Sequence, residues 1–287
     1  MRGTFDGRPD TVAVVGEPFD IESKSDGVFR IVVWSIGSVI ERRYGSLRQL
    51  DADVAVLPRM ANEVRLLKAG LNEHNSMAWV GRHVQRGLGV MGFDLTAAKL
   101  DGGRWDQRLE WIAPVSVSGE ISFAMLAIWA LNENAQVKFK SKPPASQPIQ
   151  MMRLYEKMLR EPCVVAGDFA TNPVFHRNDP NWDMLELVAL LSTAGYVSAY
   201  HEFGELEHGD PREVPTRFRP GEDGGTERHH VDYCFVPRPW LSALRNVQIG
   251  DPDVWIPSAQ AEEHVPVACD FDAQLLAQVV AGQRKNR

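Results

Sequence analysis

The stretch EEHVPVACDF at residues 262–271 runs from charged side chains directly into an apolar, β-rich segment. This pattern predicts a buried strand whose open end carries Glu263 and His264. A strand end holds side chains rigidly, while the adjoining loop leaves them open to a ligand. Three earlier segments have the same design, an apolar run that ends in polar groups: Arg30 to Ser35, Cys163 to Phe169, and His229 to Val236.

The composition is that of a globular protein that can bury a sizeable core. Of its 287 residues, 44% are hydrophobic and 24% are charged. The formal net charge is −7. Non-specific binding to nucleic acid depends on neutralisation of phosphates by lysine and arginine. The charge therefore argues against nucleic acid as the partner.

The cysteines and the lack of long apolar runs indicate the compartment. Cys163, Cys234 and Cys269 each lie in an apolar, strand-like run, so we expect buried thiols and no disulfide framework. No apolar run is long enough to span a bilayer, and residues 1–4 lead into polar sequence without a signal-peptide core. These features predict a cytoplasmic protein with no membrane contact.

The chain is predicted to form one domain at residues 29–287, preceded by a flexible extension or a peripheral strand at residues 1–28. No linker divides the main segment, and predicted strands outnumber predicted helices. A doubly wound parallel sheet needs a helix after nearly every strand, so this pattern does not fit it. It predicts an α/β fold with two packed sheets and helices outside them.

Five segments then stand in an order and spacing that a known superfamily shares. They are the strand of Trp34, the strand from Asp53 to Leu57, the tripeptide Gly167-Asp168-Phe169, the segment His230-Val231-Asp232-Tyr233, and Glu263-His264-Val265-Pro266-Val267. Together they resemble the endonuclease/exonuclease/phosphatase, or deoxyribonuclease I-like, proteins. The resemblance implies a four-layer sandwich of two largely antiparallel sheets flanked by helices, with the site at one rim.

The same resemblance implies Mg²⁺-dependent hydrolysis of phosphate esters, but the family's metal-site residues are replaced here. In the family an Asn ends the first strand, a Glu ends the second, an Asn follows the GDF tripeptide, and Ser-Asp precedes the closing His. This sequence has, at those positions, Ser35, Arg59, Ala170 and Glu262-Glu263. The His of the family's central strand has no counterpart near Trp129.

The most consequential change is the replacement of a metal-binding carboxylate by Arg59. Mg²⁺ prefers hard oxygen ligands. At an effective dielectric of about 20, a guanidinium roughly 4 Å from a dication costs several kcal/mol. Glu63, one helical turn beyond Arg59, and Asn172, close to Ala170, could restore a ligand. We expect no cofactor and no metal ligands, with Mg²⁺ as the alternative.

The polar residues that remain are suited to acid–base chemistry. His264 and His230 titrate near neutral pH and are the candidate acid and base. Glu263 is expected to orient His264, and Asp168 is a further catalytic carboxylate. Arg59 is expected to pair with Asp168 or Glu263. The candidate substrate-binding residues are Arg59, Asp232, Ser35 and Asn172.

Three functions remain open at this point. The favoured one is a repurposed enzyme that uses histidines and carboxylates on a small molecule without a metal. The alternatives are a non-catalytic binding protein and an active metal-dependent phosphodiesterase or phosphatase with relocated ligands. The fold alone cannot choose among them, because function depends on the site.

Overall fold

The computed structural model describes residues 20–37, 40–109, 111–130, 146–174, 184–221, 223–256 and 261–285. The strands are, in chain order, β1 (Val28–Val33), β2 (Val54–Met60), β3 (Ser76–His83), β4 (Arg86–Gly92), β5 (Ala97–Leu100), β6 (Ile112–Ser118), β7 (Phe123–Trp129), β8 (Cys163–Asp168), β9 (Tyr196–Ser198), β10 (Arg217–Pro220), β11 (Thr226–His229), β12 (Asp232–Pro237), β13 (Leu244–Ile249), β14 (Glu263–His264) and β15 (Val267–Asp272).

The helices are mostly short. They are α1 (Ile40–Gln49), α2 (Glu63–Lys68), α3 (Ser146–Leu154), α4 (Glu156–Leu159), α5 (Met184–Thr193), α6 (Ala199–Gly204), α7 (Pro252–Trp255) and α8 (Ala273–Lys285), together with a 3-10 helix at Arg238–Ser242. Among the described residues, no helix combines the length and the apolar character needed to cross a membrane.

Two large mixed sheets form the body of the fold. The first has the order β13-β15-β1-β2-β4-β3, and the second has the order β5-β6-β7-β8-β12-β9. One pair in each sheet is parallel, β1 with β2 and β7 with β8, and the remaining neighbours are antiparallel. A small third sheet has the order β11-β10-β14. This is the predicted α/β sandwich of largely antiparallel sheets.

The central strands are buried along nearly their whole length, which explains why they are continuous apolar runs in the sequence. One core cluster draws side chains from both large sheets, and a second lies among the second sheet, α3, α4 and α5. The three cysteines are free and buried, as predicted.

A buried ion pair joins the neighbouring strands β1 and β15 of the first sheet. Arg30 and Asp270 are directly opposite on β1 and β15, and the guanidinium binds both carboxylate oxygens at 2.6 and 2.7 Å. Arg30 also donates to the carbonyl oxygens of Leu50 and Glu22. Removing one partner of such a pair would cost about 3–5 kcal/mol.

The predicted N-terminal extension lies largely outside the described residues. Its described end, which starts at residue 20, makes contacts with the domain: Ile21 is buried in the core, and Lys24 pairs with Asp53 at 3.0 Å. The polar sequence does not by itself predict the hairpin of β10 and β11. The strand β13 and the helix α8 are also absent from the predicted segments.

Candidate active site

Three strand ends bring Asp168, Asp232 and His264 together. β8 and β12 are antiparallel, with Asp168 directly opposite Asp232. The third residue lies on β14 of the small sheet, where His264 is opposite Arg217. One side-chain ligand atom from each of the three lies within 4.8 Å of the other two. The predicted convergence of polar groups at strand ends is therefore present.

Backbone geometry fixes the position of Asp168. At the preceding Gly167, φ is +146°, and an added Cβ would lie 1.9 Å from the carbonyl oxygen of Ile128 on the neighbouring strand. Only glycine allows this close approach of β8 to β7. Ala170 then adopts a left-handed conformation with φ of +52°, and its N–H donates to Asp168 Oδ1 at 2.8 Å.

The carboxylate that orients His264 is Asp232, and not Glu263 as predicted. His264 Nδ1 lies 2.7 Å from Asp232 Oδ2, and both side chains are fully buried. Thr216 Oγ1 accepts the N–H of Asp232 at 3.1 Å. The indole N–H of Trp34 donates to the His264 carbonyl at 2.9 Å. The backbone of the pair is therefore held by two further residues, Thr216 and Trp34.

The alternation of side chains along an extended chain explains this correction. Residues two apart share a face, so Glu262 lies on the side of His264 while Glu263 points the other way. Glu263 forms a salt bridge to Arg43 at 2.6 Å, which anchors β14 to α1. Glu262 Oε1 lies 3.8 Å from His264 Nε2, a distance that suits an ion pair and not a hydrogen bond.

Arg59 pairs with Glu262, whereas the sequence predicted Asp168 or Glu263. The distance from its Nη1 to Glu262 Oε1 is 3.0 Å. Arg59 lies at a register shift in β2 with φ of +67°, an uncommon conformation for a non-glycine residue. Such local strain is frequent at functional sites and supports the placement of Arg59 at this one.

Sequence reasoning missed two further cations at the site. The guanidinium of Arg86 lies 5.1 Å from the centre of the Trp129 ring, and Trp129 is paired with Asp168 in the sheet. Burial and the nearby Arg59 lower the pKa of Arg86, while Glu262 and Asp168 raise it. Arg217 is buried opposite His264. Its positive charge acts to lower the pKa of both Asp168 and Glu262. Three guanidinium groups therefore surround the carboxylates.

The surrounding groups shift the pKa values of His264 and Asp168, which gives the two side chains opposite charges at neutral pH. Burial alone would lower the pKa of His264, but Asp232, Glu262 and Asp168 raise it to about 9. Burial raises the pKa of Asp168 to about 6, against the opposing effect of His264. His264 and Arg59 lower the pKa of Glu262 to about 2. At neutral pH the imidazole is thus protonated and both carboxylates are ionised.

The remaining predicted site residues divide into two groups. Ser35 Oγ makes a long contact of 3.5 Å with Asp168 Oδ2, so it lies at the site. Asn172 instead donates to Glu213 at 2.7 Å and to the His230 carbonyl at 3.1 Å. His230 bonds the Val214 carbonyl through Nδ1 and stacks on Tyr200. These contacts link Asn172 and His230 to the part of the chain around Glu213 and Val214.

The donor set does not fit the family's magnesium ion. Mg²⁺ requires mostly oxygen ligands in an octahedral arrangement. Here one of the three converging groups is an imidazole whose Nδ1 is bound to Asp232, and Arg59 and Arg86 contribute adjacent positive charge. Glu63, the alternative ligand, is half exposed and lies 3.9 Å from His74.

The sequence matches no protein-family model and no curated protein sequence. Solved structures do share the fold. The catalytic domain of Xenopus laevis APE2 has a TM-score of 0.60 at 13% identity, over 85% of this chain and 92% of that one. The 3′ phosphatase NExo from Neisseria, bound to a product DNA hairpin, has a TM-score of 0.59 at 14% identity, over 85% and 99%. An AP endonuclease from Archaeoglobus fulgidus has a TM-score of 0.59 at 13% identity, over 85% of this chain and 99% of that one.

The class of the protein follows from these likenesses. It is an α/β sandwich with a histidine–carboxylate site where strands of two sheets end. The likenesses cover nearly the whole of each solved chain, and they confirm the predicted deoxyribonuclease I-like fold. At 13–14% identity they establish the fold and leave the reaction to the site.

The prediction of a small-molecule partner, with nucleic acid unlikely, is contradicted by these structures. They include a phosphatase bound to DNA and an AP endonuclease. The net charge of −7 averages over the whole surface and does not describe the charge near the site. Nucleic-acid binding depends on the local field, and locally Arg59, Arg86 and Arg217 surround the site.

Proposed function

We propose that the protein hydrolyses a phosphate ester in a nucleic acid, with His264 as the general acid and Asp168 as the general base. The observation that carries this proposal is the buried Asp168–Asp232–His264 cluster, in which one imidazole is held protonated beside an ionised carboxylate. Neighbouring groups whose pKa values are driven apart are typical acid and base partners. The fold and the DNA-bound neighbour support nucleic acid as the substrate class.

The Glu262 carboxylate occupies the position we assign to the substrate phosphate. It is an anion held between Arg59 at 3.0 Å and His264 at 3.8 Å. A phosphate group has the same charge sign and bonds well to the forked guanidinium. Substrate binding then displaces Glu262, whose side chain is about one-third exposed. Arg59 and Arg86 take over the charge stabilisation that a metal supplies in other enzymes.

The proposed reaction uses one water molecule and balances its protons within the site. Water attacks phosphorus, and Asp168 Oδ2 accepts a proton from it. The bond from phosphorus to the leaving oxygen breaks, and His264 Nε2 donates a proton to that oxygen. Asp232 stabilises the imidazolium through Nδ1 before the transfer. Afterwards Asp168 loses its proton to solvent and His264 regains one, so hydrolysis yields an alcohol and a phosphate monoester or free phosphate.

A chelator experiment tests this proposal. The purified protein is incubated with end-labelled single-stranded, duplex, abasic and 3′-phosphorylated oligonucleotides, in EDTA and in Mg²⁺. We expect cleavage that persists in EDTA and falls by about 10²–10⁴-fold in His264→Gln and in Asp168→Asn, the usual contribution of a general acid or base. Cleavage abolished by EDTA and restored by Mg²⁺ would instead establish a metal enzyme.

A second candidate is a nucleic-acid-binding protein without catalysis. It is favoured by one observation, that the side chains of His264 and Asp232 are fully buried and need a rearrangement to meet a substrate. Under this alternative the oligonucleotides bind through the arginines but remain intact in both buffers. Arg59→Gln then weakens binding, and the same panel of substrates separates the two functions.

A further inference from the structure

A second cluster of histidine and carboxylate side chains has no part in the proposed reaction. It consists of His201 on α6 and of His208 and Glu213 in the segment that follows. One ligand atom from each lies within 4.8 Å of the other two. His201 is buried, and His208 and Glu213 are partly buried. The residue types and their convergence raise the question of a bound cation.

The groups around this cluster orient its possible ligand atoms. Ser198 Oγ lies 2.8 Å from His201 Nδ1. Glu213 accepts the N–H of Gly209 at 2.6 Å and the Asn172 amide at 2.7 Å. Metal-binding imidazoles and carboxylates are commonly held by such outer contacts. A serine hydroxyl can donate or accept, so Ser198 can bond His201 Nδ1 whether or not Nε2 binds a metal.

One ring nitrogen of His208 has no hydrogen-bond partner among the described residues. This nitrogen, Nδ1, is buried, and buried polar groups cost free energy when they stay unpaired. The ring is stacked on His201, with centroids 3.7 Å apart and planes inclined by 20°. Two nearly parallel rings cannot both aim lone pairs at one ion, so His208 must turn to bind. Turning breaks no hydrogen bond at Nδ1.

A cavity next to the cluster supplies the space for that turn. It has a volume of about 290 Å³, and its lining includes Ser198, His201, His208, Phe235 and Arg238. It gives an ion a path to the ligands and has room for a water molecule. A metal site needs both an entry path and plausible ligand geometry.

We propose that His201, His208 and Glu213 bind one zinc ion, with a water molecule from the cavity as the fourth ligand. Zinc takes imidazole nitrogen and carboxylate oxygen at about 2.0–2.2 Å in a tetrahedral arrangement, which puts ligand atoms about 3.3 Å apart. The turn of His208 brings its nitrogen to the ion, and the His201 Nε2–Glu213 Oε1 pair, now hydrogen-bonded at 2.9 Å, opens to that ligand spacing. Mg²⁺ is disfavoured because it prefers oxygen ligands. The ion links α6 to the segment after it and, through Asn172, to the chain that follows β8.

Direct metal binding tests this site without any measurement of catalysis. Untagged full-length protein, stripped with a chelator, is titrated with Zn²⁺ under equilibrium dialysis and with Co²⁺ under visible spectroscopy. We expect one equivalent of Zn²⁺, an absorption band of tetrahedral Co²⁺, and a higher unfolding temperature with Zn²⁺ present. His208→Gln should weaken zinc affinity by at least about tenfold, and Ser198→Ala by about tenfold.

Two matched variants locate the binding. His83→Gln removes one exposed imidazole outside the cluster, and Asp168→Asn alters the other histidine–carboxylate group. Both should bind zinc as the wild type does. The proposal is overturned if the wild type binds no zinc, if His208→Gln retains wild-type affinity, or if Asp168→Asn abolishes binding.

Discussion

Two clusters of histidine and carboxylate lie near the start of β12, and they hold their imidazoles in opposite charge states. His264 faces Asp232, Glu262 and Asp168, and its pKa is raised to about 9. Burial lowers the pKa of His208 to about 3, with His201 acting in the same direction. Glu213 acts to raise the pKa of His208 but does not outweigh burial. At His264, by contrast, Asp232, Glu262 and Asp168 together outweigh burial.

This contrast gives the two clusters different ligands. The cluster with a protonated imidazole and three nearby guanidinium groups suits an anion such as phosphate. The cluster with neutral imidazoles and one carboxylate suits a transition metal. The residue types alone do not distinguish the two, since both contain histidine and acidic side chains.

After the chelator and zinc experiments, the largest expected effect is a change in oligonucleotide affinity on substitution of Glu262, with the neighbouring Glu263 as the control. Glu262→Gln removes the anion that competes with phosphate for Arg59 and His264. Its affinity for a labelled oligonucleotide, measured by fluorescence anisotropy at fixed salt, should rise about tenfold, which corresponds to about 1.4 kcal/mol. Salt must be fixed because phosphate contacts are salt-dependent.

Glu263→Gln is the matched control for that measurement. Its carboxylate is bound to Arg43 and does not contact His264, so oligonucleotide affinity should stay at the wild-type value. Equal changes in the two variants would mean that the alternation of side chains along residues 262–264 does not separate the roles of the two glutamates.

A smaller effect is expected in the pH dependence of stability. Because the folded pKa of His264 is raised to about 9, its stabilising contribution is present below pH 6.5 and is lost as the pH rises through 9. The unfolding temperature should therefore fall between about pH 6.5 and 9. In Asp232→Asn the fall should be shallower, because a main cause of the raised pKa is gone. Parallel curves from circular dichroism for the two proteins would refute this linkage.

The sequence was sufficient for the fold and for one half of the site. The apolar strands and the order of five segments predicted the sandwich, and Asp168 and His264 converge at one site. His264 lies on the separate strand β14, however, and not at the open end of one continuous strand over residues 262–271. Glu262 could have been predicted from the two-residue period of a strand, which puts it beside His264. Choosing Glu263 followed the family's Asp at that position instead of the local geometry.

The rest of the site depends on long-range pairing that no local pattern contains. Arg86 reaches the site because β4 pairs with β2 and Arg86 packs on Trp129. His201 and Glu213 are twelve positions apart and are joined by a hydrogen bond of 2.9 Å. The intervening segment is polar, so its composition gives no sign that its histidines are buried.

The charge of His264 is the claim on which the anion site depends most directly. Long-range ¹H–¹⁵N correlation spectra of ring-labelled protein, assigned with His264→Gln, report whether both ring nitrogens carry protons. We predict an imidazolium at pH 7.5 that titrates near pH 9. A neutral His264 ring at pH 7.5, with a titration midpoint below 6.5, would contradict both its role as general acid and the anion site built around it.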